Sequence, residues 1–142
     1  MHLVEIAAPQ FDVEFDIAYA TPANITGAPI YARPGCYLLE PAAELLARAI
    51  ELAAGLGYRF RIFDAFRPKE AQWTLWNHTP DPDFLADPRR GSPHSRGIAV
   101  DLTLLDGTGA AQIRADVAVS DGRIVAIGDL SGWSADERID AS

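Results

Sequence analysis

An α+β fold is what this chain predicts: a small, mainly antiparallel sheet carrying two packing helices, with a β-hairpin at the C-terminal end. Three patterns lead there. Runs at 11–19 and 58–63 alternate apolar and polar residues with the period of two of a half-buried strand. An amphipathic helix over 41–54 lies between them, and a second helix follows Pro68. Two further alternating runs flank Asp121-Gly122, a dipeptide suited to a tight hairpin turn.

Taken in order, Phe11 to Tyr19 alternates apolar with mostly acidic residues and reads as a strand. Residues 20–31 hold Pro22, Asn24, Gly27 and Pro29 and read as a loop. In the helix over 41–54, Pro41 suits the first helical position, Leu45, Leu46, Ala49, Ile50 and Ala53 line one face, and Gly55 and Gly57 can end it. Glu44 and Arg48 stand one turn apart on the outer side. The strand Tyr58–Phe63 delivers Asp64-Ala65-Phe66-Arg67-Pro68 to its C-terminal end, where ligands tend to gather. Trp73 and Trp76, on the helix opened by Pro68, read as core or pocket wall. Residues 77–91, rich in proline and aspartate, read as a surface loop that leaves His78 exposed and without a role.

At 142 residues the chain can bury roughly 70% of its unfolded surface if it folds as one unit. Its formal charge of −8, spread rather than blocked, argues against nucleic-acid and anionic-membrane partners. Lys69 is the one lysine among twelve basic residues, so there is no polybasic patch. A single cysteine, Cys36, cannot form an internal disulfide, and no run reaches the ~18 apolar residues of a membrane span. The start has no basic segment followed by a long apolar one, so a cytoplasmic protein is expected. Composition says nothing of the oligomeric state.

The segment Ser92-Pro93-His94-Ser95-Arg96-Gly97-Ile98-Ala99-Val100-Asp101 is the richest in chemistry. By themselves, its histidine and aspartate could be a core imidazole and a surface acid, or two metal ligands. Arg67 alone could equally be a structural partner of Asp64. The Ser-x-His-x-x-Gly-x-Ala-x-Asp pattern resembles that of the zinc D-alanyl-D-alanine dipeptidases, the D,D-peptidases of the vancomycin-resistance type. Two more stretches resemble that family in the same order: Tyr19-Ala20-Thr21 with Asn24-Ile25-Thr26-Gly27 and Pro29-Ile30-Tyr31, then Asp64-Ala65-Phe66-Arg67-Pro68.

The resemblance implies a zinc D,D-peptidase-like fold that takes a small dipeptide, D-alanyl-D-alanine, in peptidoglycan metabolism. It makes His94 and Asp101 zinc ligands, Arg67 the stabiliser of the oxyanion, and Ser92 a contact near the substrate's amino end. Gly97 is expected to let the chain turn close to the metal, with Ile98, Val100, Leu102 and Leu104 buried beneath. In the family a Glu-x-x-His pair supplies the general base and third ligand; here no such pair occurs and the last histidine is His94. Impaired turnover is therefore expected, the alternative being a non-catalytic remnant or fusion product that binds metal or dipeptide weakly. Residues 106–142 resemble instead the first β-segment of D-aminoacylase-type amidohydrolases, without their His-x-His. The expected organisation is a truncated dipeptidase-like domain over 1–105 joined to that segment.

Overall fold

The computed structural model describes residues 2–106, 116–120, 123–129, 131, 132 and 134. The chain divides into two compact units, Met1–Ala110 and Ala111–Ser142. In the first, the order is β1 (Leu3–Glu5), β2 (Glu14–Phe15), β3 (Tyr37–Leu39), α1 (Glu40–Gly55), β4 (Tyr58–Asp64), α2 (Lys69–His78) and β5 (Asp101–Asp106). Strands β1 and β3 pair antiparallel; β4 lies between β2, parallel to it, and β5, antiparallel. The second unit contains an antiparallel pair, β6 (Asp116–Ser120) with β7 (Arg123–Gly128). The architecture is α+β with mostly antiparallel pairing, as the residue patterns imply. Residues 121 and 122, the expected hairpin turn, lie outside the described residues. Among the described residues no helix is long and apolar enough to cross a membrane.

Helix α1 forms where the 3.6-residue period places it, one residue longer at each end, with Pro41 in its first turn, where a missing N–H costs nothing. Ala43, Leu46 and Ala53 are buried, and Ala42, Ala47 and Ile50 pack partly against the same core. Leu45 is a correction: it is 71% exposed. It sits about 100° round the helix from Leu46, outside the arc that Ala43, Leu46, Ile50 and Ala53 define. The core these residues cover contains Ile6, Phe11, Val13, Leu38 and Ile62.

The expected strand over 11–19 is shorter than its alternation suggests. Only Glu14 and Phe15 pair, with Arg61 and Ile62, and a 3₁₀ turn follows at Ala18–Ala20. Phe11, Val13 and Ile17 are buried by direct packing while Phe15 is exposed, so burial rather than ladder bonding produced the alternation. Trp73 is also exposed, because α2 buries Ala71, Gln72 and Leu75 instead. In the loop after α2, Leu85 is buried and the Ala86 carbonyl accepts a bond from Gln72 Nε2.

Ile98, Leu102 and Leu104 are exposed, against expectation, and Val100 is half-buried. For Leu102 and Leu104 the reason is topological: β5 is the edge of its sheet, paired with β4 on one side, while Ile98 lies in the loop before it. Gly97 does make a tight turn, with φ at +70°, but the close approach is to Leu3 and Leu39. A Cβ there would lie 3.2 Å from the Leu39 backbone nitrogen, which itself donates to the Gly97 carbonyl at 2.8 Å. That glycine therefore seats the His94 loop on β1 and β3.

Ile62, fully buried at the centre of β4, tests the core. Ile62→Ala is expected to lower the unfolding free energy by about 2–5 kcal/mol in urea denaturation. A loss under about 1 kcal/mol would place the stabilising core elsewhere.

Candidate metal centre

The site begins with a break in register. Along β4 and β5 the partners run to Ile62 opposite Leu102, and then Asp64 opposite Asp101, so β4 spends one extra residue there. That bulge sets two carboxylates across from each other at the end of the pair. Like charges directly opposed across a ladder are unfavourable. What relieves them is Arg67.

Arg67 is 4% exposed and Asp64 2%. The guanidinium donates to Asp64 Oδ2 through Nε at 2.9 Å and lies 2.7 Å from it through Nη2. Nη2 also stands 3.6 Å from Asp101 Oδ2, and Nη1 donates to Gln72 Oε1 at 2.8 Å. The Tyr19 ring lies 5.0 Å beneath it, a cation–π contact, and Tyr31 donates its hydroxyl to Asp64 Oδ1 at 2.8 Å. Burial raises the Asp64 pKa, while Arg67 and Tyr31 oppose the rise. Burial works against the Arg67 charge, but Asp64 outweighs it and raises the arginine's pKa.

The loop over 18–31 is what brings both tyrosines here. Asn24 organises it: Nδ2 donates to the Thr21 and Ala28 carbonyls, and Oδ1 accepts from the Thr26 amide and hydroxyl. The Tyr19 carbonyl then accepts from Ile30 and Tyr31, closing the loop so that the two rings meet edge to face at 5.8 Å.

His94 opens a short 3₁₀ turn, His94–Arg96, capped by Gly97. Its backbone carbonyl accepts from the Arg67 amide, tying this turn to the end of β4. Nδ1 lies 2.8 Å from the Ala65 carbonyl, which can only accept, so Nδ1 carries the proton. Nε2 then presents its lone pair to Asp101 Oδ1 at 3.4 Å. Two acceptors facing one another are favourable only with a positive charge between them, a proton or a metal ion. Burial lowers the His94 pKa, but the bonds with Asp101 and Ala65 prevail and the net shift is upward. Asp101 moves down, chiefly through its bond with His94.

Of the residues singled out in the sequence, Arg67, His94 and Asp101 come together. Ser92 is buried beside them in the chain, its Oγ accepting the His94 amide at 3.2 Å. Tyr19, Tyr31 and Gln72 were given no role in the site from the sequence, and Asp64 was weighed there only as a structural partner of Arg67. Asp64 and Tyr31 lie thirty-three residues apart, a separation that no local pattern connects. One ligand atom from each of Asp64, His94 and Asp101 falls within 4.8 Å of the others, so the three can be considered for a metal. Both Asp64 oxygens already accept from Arg67 and Tyr31, which leaves His94 Nε2 and Asp101 as the free donors. An imidazole nitrogen and a carboxylate suit zinc, and an Nδ1–H held by a carbonyl is the usual outer support of such a ligand.

Fold and site together define an α+β domain that presents a candidate metal-binding pair beside a buried, fixed guanidinium. The chain belongs to the D-ala-D-ala dipeptidase family, whose pattern matches residues 1–113. It is similar to the D-alanyl-D-alanine dipeptidase of Escherichia coli (strain K12), 44% identical over 107 residues that make up 75% of this chain and 55% of that protein. The D-alanyl-D-alanine dipeptidase of Enterococcus faecium is 37% identical, with 65% of this chain and 55% of that protein covered. The chain thus spans about half the length of the curated relatives it matches.

Removing one partner of the buried pair is expected to be costly. Asp64→Ala leaves the Arg67 charge without its carboxylate and should lower stability by about 3–5 kcal/mol, most of it recovered in Asp64→Ala with Arg67→Met. Urea denaturation of both variants checks this; a single-variant cost near zero would refute the pairing.

The His94–Asp101 contact predicts a pH window in metal-free protein. The raised His94 pKa adds stability below its ordinary 6.5, lost as pH rises through the folded value. The depressed Asp101 pKa adds stability above its ordinary 3.8, lost as pH falls through the folded value. Both contributions coexist between about pH 4 and 6.5. In chelator, the stability gap between the native protein and Asp101→Asn should peak there and shrink above pH 7. A gap constant from pH 5 to 9 would count against it.

Proposed function

We propose that this chain carries the zinc-binding and oxyanion-stabilising part of a D,D-dipeptidase that hydrolyses D-alanyl-D-alanine in peptidoglycan metabolism, and that by itself it holds zinc weakly and turns over little or no dipeptide. The observation that carries the reading is the facing pair of acceptors, His94 Nε2 and Asp101 Oδ1, with Arg67 against the other Asp101 oxygen. Its relatives bear the name of that activity.

In this reading His94 and Asp101 hold the metal, and zinc, when bound, supplies a Lewis acid and an activated water. Arg67 has a different task. Asp64 and Gln72 fix its guanidinium, so no reorganisation is needed when negative charge develops on the scissile carbonyl oxygen. Ser92 contacts the dipeptide near its amino end while bracing the His94 turn through the amide. The weak binding follows from the donor count: Asp64 is committed to Arg67 and Tyr31, and two ligands hold zinc less firmly than three. The other histidines support this. His2 faces Glu40 at 3.8 Å, and the His78 ring bonds Thr79 at the end of α2. The cytoplasmic placement rests on Cys36, a buried free thiol suited to a reducing compartment.

Zinc titration of the purified chain and of His94→Ala and Asp101→Ala, with D-alanyl-D-alanine hydrolysis followed in parallel, tests both halves. One weakly held zinc in the native chain, lost in both variants, with hydrolysis near background, is the expected result. Undiminished zinc binding by the variants would overturn the metal pair. Brisk hydrolysis would overturn the impairment alone.

A further inference from the structure

Helix α1 carries a second apolar line that the core leaves bare. Leu45 is 71% exposed, Leu52 63% and Leu56, at the helix's C-terminal cap, 76%. With the half-buried Ala49 they stand at i, i+4, i+7 and i+11, which confines all four to about 60° of arc. The line lies roughly 110° round from the centre of the arc of Ala43, Leu46, Ile50 and Ala53 that faces the core. At more than a right angle from the core, it can receive another helix without the body of the domain standing between them. Single exposed leucines are ordinary on a protein surface, whereas an unbroken apolar stripe in water favours contact with another surface.

Two features identify what covers it. The first is that the line complements itself. Laid antiparallel against a second α1, Leu45 meets Leu56 of the other copy and Ala49 meets Leu52, so every layer joins two apolar side chains and the small alanine lets the central layers close. The same contacts repeat across a two-fold axis, the arrangement of the commonest dimers. The second feature is charge. Arg48 borders the line on the side away from the core, with Glu44 and Glu51 beyond it. None of these three makes an ion pair among the described residues. An antiparallel two-fold pair sets like flank against like flank, which brings Arg48 of each copy towards Glu51 of the other. A parallel pair would set this charged flank against the core side of the line, where Ala42 and Ala53 offer it no partner.

We propose that α1 is a self-association surface, which pairs antiparallel with α1 of a second copy of this chain through Leu45, Ala49, Leu52 and Leu56, flanked by Arg48–Glu51 ion pairs. The 16 residues of α1 span about 24 Å, so the contact falls at the small end of specific interfaces and the dimer is a weak, reversible one. None of its residues belongs to the Arg67 or His94 cluster, and the association holds whatever the His94–Asp101 pair binds.

Sedimentation equilibrium of the full chain, from micromolar to near-millimolar concentration, tests the proposal. A reversible equilibrium between monomer and dimer is expected. Leu52→Glu, at an exposed position and so without cost to the core, should leave monomer across that range, with the far-UV circular dichroism unchanged. Arg48→Glu should weaken the dimer about tenfold by turning two attractions into repulsions, and Arg48→Glu with Glu51→Arg should restore it. Monomer at every concentration, a dimer that Leu52→Glu or Arg48→Glu leaves intact, or a charge swap that restores nothing would overturn it.

Discussion

A guanidinium taken out of water must be met on every side, and Arg67 imposes that demand on the whole first unit. Its Nε and Nη2 take Asp64, its Nη1 takes Gln72, and its face takes Tyr19. Each partner comes from a different element: Asp64 from β4, Gln72 from α2, Tyr19 from the 3₁₀ turn ahead of the Asn24 loop. Burying such a charge is unfavourable unless the pairing is complete, so these elements hold their mutual positions or the pair fails. The position of the site and the stability of the fold are therefore one problem.

The bulge between Ile62 and Asp64 follows the same logic. It puts Asp64 opposite Asp101, a repulsive arrangement that Arg67 and His94 make tolerable from two sides. The Ala65 carbonyl orients the imbalance by holding the proton on His94 Nδ1. What remains is an imidazole lone pair facing a carboxylate oxygen, which attracts a cation.

How much of this could be read from residues alone varies with range. Helix α1 and strand β4 were legible because local periodicity and burial agree in them. The alternation at 11–19 misled because Phe11, Val13 and Ile17 are buried by packing while only Glu14 and Phe15 join a ladder. Leu45 and Trp73 look like core residues but point away from it, since which arc of a helix is covered depends on what lies against it. Leu102 and Leu104 lie on an edge strand and Ile98 in the loop before it, all three exposed. Hydrophobicity reports a preference for burial, and topology decides whether it is met.

The candidate site divides in the same way. Sequence alone determined the family, through short motifs whose residues are close in the chain, and it offered Arg67, His94 and Asp101 as the candidate residues. It also determined the local shapes that carry them: a strand end, a proline-opened helix and a glycine-ended turn. Only the tertiary structure decided that Tyr19 and Tyr31 close over the Arg67–Asp64 pair and that the His94 ring meets the Ala65 carbonyl. Those are contacts between distant parts of the chain, and they form because buried charge and buried hydroxyls must find partners in three dimensions, which no spacing along the sequence records.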